Sequence, residues 1–162
     1  MPLAKSTLAQ SLEQLFNSKP ATAADAAAAW ANAYLGYAGS ALSSAASLPT
    51  NASANFPILL GGFQGGLSAL APAAAGALVA QGVSGFWQAI AWVGPTAAGT
   101  TAFPGNAALA AALSGIFADL GKSSPAEKAN RLADAFDAGA RTVIVADIPF
   151  VQPAPPIVGP IQ

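Results

Sequence analysis

Residues 8–34, "LAQSLEQLFNSKPATAADAAAAWANAY", read as two helices joined by a short turn. Leu8, Leu12, Leu15 and Phe16 recur at spacings of three and four, which places them on one helical stripe. After the turn, Thr22-x-x-Asp25 is a helix-start signature. The hydroxyl accepts from an orphan amide and the acid reaches back to the cap. Helix, turn and capped helix make an αα-hairpin.

The same order recurs near the other end of the chain. "LAAALSGIF" (109–117) aligns with "LAQSLEQLF" (8–16) without a gap, and "SPAEKANRLADAF" (124–136) aligns with "TAADAAAAWANAY" (22–34). Trp30 and Tyr34 align with Leu132 and Phe136. Ser124-x-x-Glu127 repeats the cap, with Pro125 at the first helical position, where its missing donor costs nothing. The middle, "ILLGGFQGGLSALAPAAAGALVAQGVSGFWQAIAW" from Ile58, has the outline of a third, diverged copy. Glycines 61, 62, 65 and 66 weaken its first helix.

The expectation is an all-α fold, a helical bundle of two or three repeated αα-hairpins with an extended Pro-rich C-terminal arm. The hairpins occupy about 3–46, 57–93 and 106–146 of a helical domain over 1–146, and the arm is 147–162. Connectors rich in Pro, Gly, Ser and Thr, around 47–57 and 94–106, separate the units. Alanine lets helices approach closely but buries little area, at about 25 cal/mol per Å². The core therefore depends on a few large residues: Leu12, Phe16, Trp30, Tyr34, Phe86, Trp87, Phe117 and Phe136.

From Ala26 to Ala118 there is no Asp, Glu, Lys, Arg or His. Charged residues are 8% of the chain, against about 25% in an ordinary soluble domain. A net charge of −1 provides no field to collect phosphates, so nucleic acid is not an expected partner. A weakly charged surface favours association, so copies of the chain and other assembly proteins are the expected neighbours. The helix from Pro125 carries most of the charge, with Glu127–Arg131 and Asp137–Arg141 at i,i+4.

The alternative use of an uncharged segment is a membrane-active one, holin-like or pore-forming. Residues 73–93 would serve, being long enough to span a bilayer at about 20 residues. Gln81, Ser84 and Gln88 interrupt that window, Ala and Gly fill much of it, and no Lys or Arg flanks it to set orientation. These features argue against a span. At the N-terminus one Lys is followed by alternating polar and apolar residues, so no signal peptide is expected.

The tail "RTVIVADIPFVQPAPPIVGPIQ" differs in kind. Val143, Ile144 and Val145 form a β-branched run, and the prolines that follow forbid helix. An extended segment with apolar residues between prolines is expected to lie on a surface, its own or a neighbour's. The candidate subunit-interface residues are Trp87, Trp92, Val143, Ile144, Val145, Phe150, Val151, Ile157 and Val158.

No residues nominate themselves for catalysis, cofactor binding or metal ligation. With no Cys and no His, the usual zinc sites and His-based triads are excluded. "GGFQGG" lacks the Lys-Ser/Thr of a phosphate loop and reads better as flexible backbone or close helix contact. Of the carboxylates, Asp25 and Glu127 belong to caps, Asp134 and Asp137 fall on an exposed stripe, and Glu13, Asp119 and Asp147 read as solvated. "NAS" at Asn51 matches a glycosylation sequon without a secretory context. No enzyme activity, cofactor or small-molecule substrate is expected.

Three segments carry a likeness to known proteins: "LAxxLxxLF…PATAAxAAxAWAxAY" (8–34), "FW…AWVGPTAAGTTA" (86–102) and "LADAFDAGARTVIV" (132–145), followed by a Pro-rich end. The chain resembles a group of Ala-rich virion structural proteins of tailed bacteriophages. That resemblance implies a non-enzymatic particle component of the neck, tail or baseplate. Such a component is made in the host bacterial cytoplasm, resides in the virion, and contacts copies of itself and other virion proteins.

Overall fold

The computed structural model describes residues 3–94, 97–150 and 155–162. Among the described residues, six α-helices come in three successive pairs. These are α1 (Lys5–Ser18) with α2 (Ala23–Ala38), α3 (Phe56–Ser68) with α4 (Pro72–Ala89), and α5 (Asn106–Ala118) with α6 (Pro125–Ala140). The starts of α2 and α6 are set locally. Thr22 Oγ1 accepts from the Asp25 amide at 3.0 Å and donates to the Asp25 carboxylate at 2.8 Å, while Ser124 Oγ accepts from the Glu127 amide at 3.2 Å. Each helix packs on its neighbours along the chain, and α6 returns to pack on α1, closing a ring of contacts.

Missing side chains set the spacing within this ring. A Cβ on Gly62 would run into the Gly82 backbone, and one on Gly76 would meet the Ser114 amide and the Ala110 carbonyl. Helices α3, α4 and α5 therefore lie backbone to backbone. Of the glycines that weaken α3 as an isolated helix, Gly62 and Gly66 are the ones that seat it.

Aromatic rings fill the middle. Trp30 contacts Phe16 and Phe63, both at 5.8 Å between centroids, and Phe117 at 6.2 Å. Tyr34 meets Phe86 at 6.2 Å and Phe136 at 5.1 Å. Leu12, Trp30, Tyr34, Phe86, Trp87 and Phe136 are buried, with Phe16 and Phe117 half-buried against them.

The fold is not all-α. Among the described residues five strands, β1 (Leu48–Pro49), β2 (Trp92–Val93), β3 (Ala97–Ala102), β4 (Ile144–Pro149) and β5 (Ile157–Pro160), form one antiparallel sheet in that order. The all-α expectation is corrected to a mixed fold with helices and sheet. The first and third helical pairs each lead into strands, and the middle pair is inserted between β1 and β2. The segments that read as connectors supply β1 and β3, the end of the expected middle hairpin supplies β2, and the tail supplies β4 and β5.

The physical reason lies in pairing. Val143 and Val145 cannot leave their backbone groups bare once their side chains are buried. "AAGTTA" gives β4 a six-residue ladder from Ala97↔Pro149 to Ala102↔Ile144. Trp92 on β2 stacks on Trp87 of α4, 6.1 Å apart and nearly parallel at 7°, fastening sheet to helices.

The expected boundary between helical domain and arm, at 146/147, lies inside β4. The last residues are held by their own chain. β5 pairs with β4, Gln162 exchanges backbone hydrogen bonds with Leu42 at 2.9 and 3.2 Å, and the Ile161 side chain is buried. Among the described residues no helix is long and apolar enough to cross a membrane.

Candidate interaction surface

Paired residues in an antiparallel ladder share a face, and neighbours along a strand alternate. The register therefore sorts the sheet into two sides. Trp92, Gly99 and Asp147 form one inner row, and Thr101, Val145 and Gly159 another. On the outer side, Leu48, Val93, Ala98 and Ile148 form a row across four strands. Beside it run the rows Thr100, Ala146, Val158 and Ala102, Ile144, Pro160.

The inner side is closed and holds a carboxylate. Asp147 is fully buried; Ser47 Oγ donates to its Oδ1 at 2.8 Å, and Oδ2 has no hydrogen-bond partner among the described residues. Gly99 stands across from it, and a Cβ there would come within 2.8 Å of Oδ1. Asp147 is thus not the solvated acid its sequence context implied, because strand pairing turned it inward.

Asp137 needs the same correction. It is 8% exposed rather than on an open stripe, accepting from Tyr37 Oη at 2.7 Å and from Arg141 Nε at 2.7 Å. Burial, reinforced by the bond to Asp137, pushes the Tyr37 hydroxyl above the ordinary tyrosine range. Burial raises Tyr34 as well, partly offset by the hydrogen bond that Trp87 Nε1 donates to it at 2.7 Å. Arg131 reaches Asp119 at 3.5 Å, an exposed pair, rather than the expected Glu127.

These acids do not converge. Among the described residues no three of His, Cys, Asp and Glu come together at metal-binding distance. The clefts carry little chemistry either. One of about 300 Å³ between α5 and α6 is lined by alanines, Gly105, Gly139, Leu109 and Thr142. Another, of about 190 Å³, lies beside Leu67, Leu70 and Phe117. A wider groove of about 470 Å³ between α1 and α2 has Ser11, Gln14, Ser18 and Asn32 on its walls, with no titratable group.

The outer side of the sheet stands apart. Leu48 and Ile148 are each 51% exposed, Val93 45%, Val158 63% and Ile144 38%. An antiparallel sheet with one covered face ordinarily presents polar side chains on the other. Here no residue of the three outer rows is charged, and only Thr100 carries a polar side chain.

The expected interface residues divide. Trp87, Trp92, Val143 and Val145 lie inside the chain's own core and have no surface to offer a neighbour. Ile144 and Val158 stand on the outer face, Phe150 is exposed just past β4, and Ile157 is exposed at the sheet edge opposite Asp147. Val151 lies outside the described residues. Sequence reasoning missed Leu48, Val93 and Ile148. The first two sit in two-residue strands without a pattern, but the alternation Ile144, Ala146, Ile148 carried a readable period of two.

Comparison of the chain with known protein families, with curated proteins and with solved structures finds no match.

Proposed function

We propose that this chain is a non-enzymatic structural subunit of a bacteriophage particle, built into a neck, tail or baseplate through uncharged surfaces. The observation that carries the reading is the bare outer face of the sheet. Contiguous exposed apolar area is rare on soluble monomers and marks places where another molecule sits. Obligate assembly interfaces are more apolar than transient ones and resemble a core cut in half. The likeness of residues 8–34, 86–102 and 132–145 to phage virion proteins supplies the particle. The C-terminal segment enters this reading through Val158 on the sheet face rather than as an arm reaching to a neighbour.

Mass spectrometry of purified particles, with gold labelling of the chain, tests the proposal. The expected result is several copies per particle at one fixed location. Recovery in the host membrane fraction and absence from particles would favour the pore-forming alternative and overturn the structural one.

A further inference from the structure

We propose that the outer face of the sheet is the contact by which two copies of this chain pair, sheet against sheet. The inference rests on the assembly reading above and adds to it the identity of the partner and the surface used. Self-complementarity comes first. A two-fold contact brings one patch onto itself, and a patch of Leu, Val, Ile, Ala and Thr without charge meets its own image with no like-charge repulsion. Flat sheet faces of this kind interdigitate at about 10 Å, as the two layers of a β-sandwich do.

Size is the second ground. Five strands spaced about 4.8 Å apart make the sheet about 24 Å across, and it is about 20 Å long at β3 and β4, narrowing toward the shorter β1, β2 and β5. With Leu48, Val93, Ile144, Ile148 and Val158 on that face and Phe150 exposed just past β4, the accessible apolar area is on the order of 600–800 Å². That approaches the ~800 Å² per partner of a standard stable interface.

The third ground is that edge-to-edge pairing of the sheet is closed. Edge-to-edge strand addition needs a free, regular edge, and proline and short strands remove it. β1 is two residues long and contains Pro49. β5 is preceded by Pro155 and Pro156 and contains Pro160, and its end is tied to Leu42. A nucleic acid or an anionic bilayer would need cations around the patch, and none of the three outer rows carries one.

The test is analytical ultracentrifugation of the full chain with two face variants, Ile148→Lys and Val93→Glu, whose folding is checked by circular dichroism and thermal melting. The wild type is expected to sediment at twice 15.8 kDa. Each variant is expected to weaken the dimer by roughly 100-fold or more, because it buries an unpaired charge. The chain has no cysteine, so Ala98→Cys gives an independent reading should the charged variants fail to fold. Mild oxidation should link Ala98→Cys into a covalent dimer and leave Ala111→Cys, on the exposed side of α5, unlinked. A strictly monomeric wild type, or a dimer that both folded face variants leave intact, would overturn the proposal. A monomer that nevertheless sits in purified particles would leave the structural role standing. A dimer absent from particles would do the reverse.

Discussion

Tyr34 and Phe136, which hold equivalent places in the two aligned hairpins, touch each other edge-on with ring centroids 5.1 Å apart. Phe16 and Phe117, another aligned pair, both rest on Trp30. Residues that match in sequence thus meet in the centre of the fold, and one cluster joins α1, α2, α3, α5 and α6. Stability should concentrate there and in the polar contacts at its margin.

One such contact links α2 to α6, where Tyr37 Oη donates to Asp137 Oδ1 at 2.7 Å. Tyr37→Phe removes the donor and keeps the ring. Loss of a hydrogen bond to a buried carboxyl should cost about 1–3 kcal/mol, toward the lower end because Arg141 still serves Asp137. Asp134→Asn, which cuts the exposed bridge to Lys5, should cost little or nothing. Urea unfolding of both variants compares the two; equal losses would refute the distinction.

The same tyrosines make stability fall on the alkaline side. In the unfolded chain both phenols ionise around the ordinary value of 10.0, whereas in the folded chain burial holds both above it. Their contribution is therefore complete below that value and lost as pH rises past it. These are the only tyrosines, so near-ultraviolet phenolate absorbance should appear in one step together with loss of helical circular dichroism. Phenolate signal ahead of unfolding would show that the hydroxyls are accessible. A chain with both tyrosines changed to Phe should unfold at higher pH, once corrected for its lower stability at neutrality.

Helix spacing makes opposite predictions for two glycines. Gly76→Ala places a methyl against the Ser114 amide and the Ala110 carbonyl, and the resulting overpacking should cost about 1–3 kcal/mol. Gly115 has nothing within 4 Å of the same methyl, so Gly115→Ala should stabilise by roughly 0.4–1 kcal/mol. Thermal melting checks the sign of each change.

Asn51 ties the end of α4. Its Nδ2 donates to the Ala89 carbonyl at 3.0 Å and its Oδ1 accepts from the Ala91 amide at 2.7 Å. Asn55 donates to the same carbonyl at 2.9 Å. Asn51→Ala leaves the Ala91 amide without its partner and should cost about 1–2 kcal/mol, whereas Asn55→Ala should cost less. Amide exchange at Ala91 should accelerate only in the first variant.

The helical part of the chain was legible because its signals are local. Spacings of three and four, Thr22 and Ser124 as caps, and Pro125 at a helix start act within a turn or two of chain, and the structure has helices at those positions. The absence of charge from Ala26 to Ala118 was equally plain, and it foretold apolar surface without saying where. The sheet was not legible. β1 and β2 are two residues each, and β3 is Ala, Gly and Thr; none has a β pattern of its own.

By itself the sequence determined the helical segments, the aromatic residues available to a core and the absence of Cys and His. Only the tertiary structure decided that Val145 and Asp147 point inward while Ile144 and Ile148 point out. A strand acquires its faces from its partners: pairing β4 with β3 and β5 fixed the register, and a shift of one residue would have exchanged the two sides. The outer face that distinguishes this protein exists only because residues from 48 to 160 are brought onto one sheet.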